Sequence, residues 1–397
     1  MMPSRNPLPA HASVLIIGGG IQGLSAAYNL AKRGERDVVV LDAGYFQGGA
    51  SGRNGTLIRG GFMSDAWTAL FSLANRRWIE LSRELKSNVM FSRRGYLLVA
   101  EKERTAAGFA EAISLHRRHD VRSRRVSRSD LAAIAPALDT KTVEDAIYLA
   151  DGGVAPHNAA MVAYREACQR LGVRIAYGMP VNRIYCSGFC VTGVAGNDFE
   201  IRCDTLLVAA GAATNEVIRL CGIQMPGHPM RIEAMALEPS RPVLRPGLAL
   251  IDRLCYLSQT ARGEIVGGAE VPERPQNTLA SDIPALAATA RAYCAMLPCL
   301  SEMRILRQWA GLIHATPDFG PLVGLLPSVS NLWVSAGWCY GYASAPAVGE
   351  LLAAAILTGK VDSRLVPFAV DRFDRRQPVH EPGIVVAAHS SAQGNAA

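Results

Sequence analysis

The sequence predicts an α/β chain. It should open on a parallel, helix-covered sheet and carry a second, α+β unit built on a mixed or antiparallel sheet. Three observations predict this. An apolar run at 14–17 leads directly into Gly18-Gly-Gly20-Ile21-Gln22-Gly23. Leu24, Ala27 and Leu30 follow near helical spacing, Gly34 stops the helix, and a second apolar run at 38–41 ends at Asp42, which completes a strand–helix–strand unit. The run 206–211 is another buried strand ending in glycine, as expected of a strand that returns to the same sheet. From about 225 to 310 short strands at 235–237, 255–258 and 265–268 alternate with one helix at 283–296.

The glycines of the opening each have a physical reason. Gly18 allows the tight turn, Gly20 lets backbone approach a pyrophosphate, and Gly23 lets the helix pack closely on the strand. The helix start, with Ile21 and Gln22, offers free N–H groups and a positive dipole end. Asp42, followed by Ala43, stands where an acid takes ribose hydroxyls. This Rossmann-like signature suits FAD and NAD equally.

The remaining elements follow in order. Residues 48–55 form a glycine-rich loop able to lay backbone against a flat ligand. A long helix is expected over 65–85 and a strand pair over 90–100. The 104–135 stretch reads as largely helical, with Arg122, Arg124, Arg125 and Arg128 on a solvated face. A helix at 159–171 ends at Gly172 and a strand at 173–177 follows. Residues 332–335 form a strand, 337–346 a glycine- and aromatic-rich loop, and 347–357 a helix closed by Gly359. The stretch 387–397 reads as a small, polar tail. There is no internal repeat.

Composition narrows the function classes. A chain of 397 residues has room for two to three domains, and 49% apolar with 19% charged residues is globular, not disordered. The net charge of +7 reads as a well-mixed basic surface without a nucleic-acid partner. The apolar runs are too short to span a bilayer, and residues 1–13 show no signal peptide. Nine scattered cysteines, with Cys186 and Cys190 the closest pair, match neither a disulfide scaffold nor a metal module. The expectation is a cytoplasmic protein with no metal.

Ordered segments along the chain carry a resemblance: GGASGRNGTLIRGGF at 48–62, NVMFSRRG at 88–95, YLSQTARGEIVGGAE at 256–270, RQWAGLIHATPDFGPLVG at 307–324, GWCYGYASAPAVGE at 337–350 and PFAVDRF at 367–373. From about 14 to 373 the chain resembles the D-amino-acid-oxidase-like family of FAD enzymes, and within it the β subunits of heterotetrameric sarcosine oxidases. The resemblance implies a discontinuous FAD-binding domain (1–90, 151–222 and 320–376), a substrate or cap domain (91–150 and 223–319) and a flexible tail (377–397). It implies oxidation of a secondary amine to an imine by hydride transfer to FAD, with α-type and small subunits as partners.

The site residues it implies are as follows. Non-covalent FAD would contact Ser51, Gly52, Arg53, Asn54 and Gly55, Val181, Ala210 and Gly211, Trp309 and Gly311, and Gly337, Gly341, Tyr342 and Ala343. Gly311 stands where monomeric members tie FAD to a cysteine. The N–H groups around 337–342 would stabilise the negative charge of the reduced ring. Arg59 would clamp a substrate carboxylate, with Tyr256 and Tyr342 beside it. Ala343 replaces a lysine that pairs with that carboxylate in relatives, so either Arg59 holds it alone or the substrate is not sarcosine. His157, in Gly152-Gly-Val-Ala-Pro-His157, is either a covalent FMN anchor or a histidine that begins a helix. Two other readings stand beside this one: a flavin-bearing assembly subunit without its own chemistry, and an NAD-linked dehydrogenase.

Overall fold

A computed structural model describes residues 8–269 and 277–384. The opening folds as β1 (His11–Ile17), α1 (Ile21–Lys32) and β2 (Val38–Asp42). β1 pairs in parallel with β2 (Ile17 opposite Leu41) and, on its other side, with the strand Glu200–Val208 (Ile17 opposite Val208). The sheet continues through Leu332–Ala336 and Leu322–Leu325 at one edge and Arg174–Tyr177 at the other, and the hairpin of Arg183–Ser187 and Cys190–Ala195 extends it. The continuous apolar run of β1 has a simple cause: both faces are covered. Leu15 and Ile16 are both fully buried, in separate clusters on opposite sides of the sheet.

A second eight-stranded sheet runs, in spatial order, Ile305–Ala315, His228–Leu237, Ile265–Gly268, Cys255–Gln259, Gly247–Leu250, Tyr96–Ala100, Asp145–Leu149 and Ser123–Arg125. Every pairing is antiparallel except that between Gly247–Leu250 and Tyr96–Ala100. The helix Ile283–Met296 lies against one face through Tyr293 and Met296.

Several expectations need correction. The 104–135 stretch is three short helices, Glu103–Ala106, Phe109–Arg118 and Arg128–Ile134, interrupted by the strand Ser123–Arg125. Asp120, at φ 57, ends the second helix. The arginines do form a solvated face, as expected: Arg122, Arg124, Arg125 and Arg128 are all exposed, and the first three pair at the surface with Asp151, Asp130 and Asp145. Phe91 lies outside any strand, and nearby Ser92 makes only a bridge to Val154. The expected loop at 337–346 is half helix, because Gly341–Thr358 is one continuous helix with Pro346 inside it. Proline removes one N–H near the helix start, while burial of Ala345, Ala347 and Val348 holds the turn. Burial also explains why this helix, long and apolar enough to cross a membrane, packs here within the fold.

The C-terminal expectation also changes. The segment 379–384 is anchored to the fold, not a flexible tail: Glu381 is fully buried, Ile384 nearly so, and the Val379 N–H donates to Asp318, while Gln377, Pro378 and His380 are exposed. The stretch 387–397 lies outside the described residues.

Candidate active site

A cavity of about 760 Å³ runs between the two sheets. One wall comes from the β1–α1 turn. Gly18 adopts φ +117, and a Cβ there would stand 2.2 Å from the Ala209 carbonyl oxygen. A Cβ on Gly23 would stand 2.0 Å from the Gly18 carbonyl oxygen, so this helix can approach its strand only with glycine. Asp42 is fixed at the end of β2, where it accepts from the Gly19 N–H at 2.7 Å and the Gly44 N–H at 2.8 Å. The Ile21 N–H donates to Ser51 Oγ at 3.0 Å, which ties the 50–52 turn to the helix start.

The opposite end is built by the start of the Gly341–Thr358 helix. No side chain caps it, and Gly341, Tyr342 and Ala343 of its first turn line the cavity. Two helix N-termini therefore face one cavity, an arrangement favourable to negative charge on a bound group. Gln22 joins them. Its Nε2 donates to the Gly341 carbonyl (2.6 Å) and Ser344 Oγ (3.0 Å), and its Oε1 accepts from Ser335 Oγ (3.2 Å).

The expected residues divide cleanly. Gly18, Gly20, Ile21, Gln22, Asp42, Ala43, Ser51, Arg53, Asn54, Gly55, Val181, Ala210, Gly211, Tyr256, Gly311, Gly337, Gly341, Tyr342 and Ala343 all line the cavity. Gly311 faces Arg53, whose Cβ would stand 3.4 Å from a Cβ added there. The Tyr256 ring lies against Gly55, and burial pushes its phenol well above the ordinary range.

Five others stand elsewhere. Gly23 packs the helix on its strand, as its spacing predicts, and Gly52 packs against Gln47. Trp309 braces the glycine-rich loop, its Nε1 donating to the Arg53 carbonyl at 2.9 Å. His157 opens the helix His157–Arg170 outside the cavity, and burial lowers its pKa. Arg59 is 2% exposed and stacks 4.0 Å from the Phe62 ring, behind cavity-lining Tyr96 and Tyr340. Tyr342 differs in role: its hydroxyl donates to the Ala155 carbonyl at 3.0 Å, a structural bond where a catalytic phenol was expected.

Sequence reasoning did not single out Tyr340, Trp338, Glu233 or His314, all of which line the cavity. Tyr340 and Trp338 lie within the aromatic-rich segment, so composition held a signal. His314 is 1% exposed, neither ring nitrogen has a partner, and burial lowers its pKa to about 4. Glu233 is 7% exposed beside Arg231 and Gln308, and burial raises its pKa. Only the pairing of His228–Leu237 with Ile305–Ala315 brings these two residues to the cavity.

A glycine-walled cleft at the carboxyl ends of parallel strands, closed by a second sheet, defines a two-domain dinucleotide-cofactor oxidoreductase. The particular family follows from comparison with known proteins: residues 13–355 match FAD dependent oxidoreductase, and the chain belongs to that family. It is 27% identical over 384 residues to sarcosine oxidase subunit beta of Rhodobacter capsulatus, spanning 95% of this chain and 92% of that one. Against 4-methylaminobutanoate oxidase (formaldehyde-forming) of Paenarthrobacter nicotinovorans it is 27% identical, over 94% of this chain and 47% of that protein. The structure of L-proline dehydrogenase from P. horikoshii superposes with a TM-score of 0.90 at 27% identity, over 94% of this chain and all of the other. The cofactor is thus FAD, and the residues present fit it: the glycine cradle admits backbone-close phosphates and both helix starts face the cavity.

Proposed function

We propose that this chain oxidises a secondary amine, an N-alkyl or cyclic amino acid of sarcosine-like form, to an imine by hydride transfer to FAD. The observation that carries this reading is the cavity itself, lined by the glycine turn at one end and by Tyr256, Tyr340 and the start of the Gly341–Thr358 helix at the other. The likeness to sarcosine oxidase subunit beta over nearly the whole chain supports it.

FAD, when bound, supplies the two-electron acceptor. The chain's own residues bind and orient. The first turn at 341–343 presents N–H groups toward negative charge. Tyr256 and Tyr340 exclude water. Arg59, stacked behind the cavity-lining rings of Tyr96 and Tyr340, would hold a substrate carboxylate alone, since Ala343 supplies no lysine. The carbon gives up its hydrogen with the bonding pair, and the nitrogen lone pair completes the C=N bond. An amine that arrives unprotonated needs no strong base.

The reading extends to organisation. The chain would serve as the β-type catalytic subunit of a hetero-oligomer with α-type and small subunits. The FAD-binding domain would comprise 1–90, 151–222 and 320–376, and the substrate domain 91–150 and 223–319, a division supported by which strands share each sheet. Nine unpaired cysteines suit the reducing cytoplasm. A second flavin, FMN, would attach at His157, whose place outside the cavity suits a subunit boundary. Acid precipitation tests this: flavin should stay with the polypeptide, and flavin wholly in the supernatant overturns it.

Anaerobic absorbance tests the main reading. One of sarcosine, N-methylglutamate, proline, D-hydroxyproline or an opine should bleach the flavin band. A fully loaded flavin that stays yellow with all of them favours the assembly-subunit reading, which predicts flavin binding without reduction.

A further inference from the structure

Arg59 is one of the most enclosed charges in the molecule. Its Nη2 donates to the Gly383 carbonyl at 2.6 Å, while Nε and Nη1, both buried, have no hydrogen-bond partner. A guanidinium carries five N–H donors, and leaving buried donors unpaired is costly. The rings of Phe62, Tyr96 and Tyr340, at 4.0, 5.4 and 5.4 Å, box its faces, and two of these rings also wall the cavity.

The segment that supplies the Gly383 carbonyl is itself anchored. Glu381 is 0% exposed. Its carboxylate accepts from the Met63 and Ser64 N–H groups (2.9 and 2.8 Å), the Ser64 hydroxyl (2.6 Å) and the Gly383 N–H (2.8 Å). Three of the four partners are backbone N–H donors and the Ser64 hydroxyl can donate as well, so an ionised carboxylate satisfies all four, against the burial that raises its pKa. The anchor point is the entry to the helix Asp65–Glu84, whose positive end favours an anion. Arg59 lies four residues before Met63 on the same stretch. The C-terminal segment thus clamps the two ends of the turn that carries Arg59.

We infer that Glu381 and Gly383 are positioning residues for Arg59, making the C-terminal segment part of the substrate-carboxylate site. The inference rests on the proposed role of Arg59 as carboxylate clamp and goes beyond it. One N–H is spent on Gly383, which fixes the rotation of the guanidinium plane. The remaining donors stay unpaired, held in place for an incoming anion. A mobile arginine would lose that orientation each time the substrate left.

The test uses the FAD-loaded full-length protein and two probes, acetate and its neutral analogue acetamide, titrated through the flavin absorption spectrum. Acetate should bind more tightly than acetamide. Arg59→Gln should abolish that preference. Glu381→Gln places an amide against the donors of residues 63 and 64, and it should weaken acetate at least tenfold while leaving acetamide unchanged. Gly383→Ala is a second, independent variant, since its Cβ would meet Glu381 Oε1 at 2.7 Å and displace the carbonyl; it should do the same. If Arg59→Gln removes the preference but both C-terminal variants keep it, the positioning role is wrong and the clamp stands. If the wild type shows no preference, or Arg59→Gln retains it, the clamp itself is wrong. A loss of thermal stability with unchanged acetate selectivity marks a merely structural segment and also overturns the inference.

Discussion

Gln22 and Gly341 stand 319 residues apart and meet through a 2.6 Å hydrogen bond, the side-chain amide of one donating to the backbone carbonyl of the other. The bond lies where the two helix N-termini converge on the cavity. It couples the dinucleotide-binding turn, set by local sequence, to a helix start that approaches it only in the folded chain. Gln22 is 8% exposed, so its three polar contacts are made away from bulk water.

Replacing Gln22 with Leu leaves the Ser344 and Ser335 hydroxyls and the Gly341 carbonyl short of partners. The expected cost is about 1–3 kcal/mol of stability. FAD affinity should fall with it, because both walls of the cavity loosen together. Urea denaturation and flavin content of the purified protein check this.

Gly23→Ala should strike the cofactor site more directly. The new methyl would stand 2.0 Å from the Gly18 carbonyl, so helix and turn must separate. Overpacking of this kind costs about 1–3 kcal/mol, and here the displaced backbone is the phosphate cradle itself. The expected product is folded but colourless protein, read from the ratio of flavin to protein absorbance.

Arg372 is 1% exposed and forms a two-pronged pair with Asp318, Nε to Oδ2 at 2.9 Å and Nη2 to Oδ1, with further bonds to the Gly320 and Pro321 carbonyls. Arg372→Met leaves a buried carboxylate without its cation, at a cost of about 3–5 kcal/mol. Asp318 also accepts the Val379 N–H, so the C-terminal segment should loosen in the same variant. Hydrogen exchange over 377–384 reads the second effect, and thermal unfolding the first.

Stability should decline in mild acid. His116 is 1% exposed, its Nε2 facing the Phe62 carbonyl at 2.8 Å and its Nδ1 the Ser123 hydroxyl at 2.9 Å. Burial lowers its pKa from 6.5 to about 4. The fold therefore prefers the neutral ring. Its contribution is complete above the unfolded value and is lost as pH falls from 6.5 toward 4, by roughly 3 kcal/mol at most. His314 has the same sign. Unfolding free energies at pH 7 and pH 4.5 should differ, and His116→Gln should flatten the difference.

Much of this was legible in the sequence. The opening turn, the early glycine-rich loop and the late aromatic one all reach the cavity, because strand, glycine and helix signals act within a few residues of one another. Readings failed where a neighbour far along the chain decides the outcome. The strand Ser123–Arg125 exists because Asp145–Leu149 offers it backbone partners, and local propensity there favoured helix. Tyr342 lines the cavity as expected, yet its hydroxyl is claimed by Ala155. Trp309 lies in a family segment, and its indole N–H is spent on the Arg53 carbonyl, 256 residues away.

The sequence by itself determined the strand–helix–strand opening, the need for glycine at 18 and 23 and the presence of a second sheet-based unit. These follow from backbone sterics and from periodicity, which are local. Only the tertiary structure decided that Gln22 would meet Gly341 and that the Gly383 carbonyl would meet Arg59. Those outcomes depend on buried polar groups finding partners hundreds of residues away, and a hydrogen bond across that distance leaves no trace in the spacing of either partner.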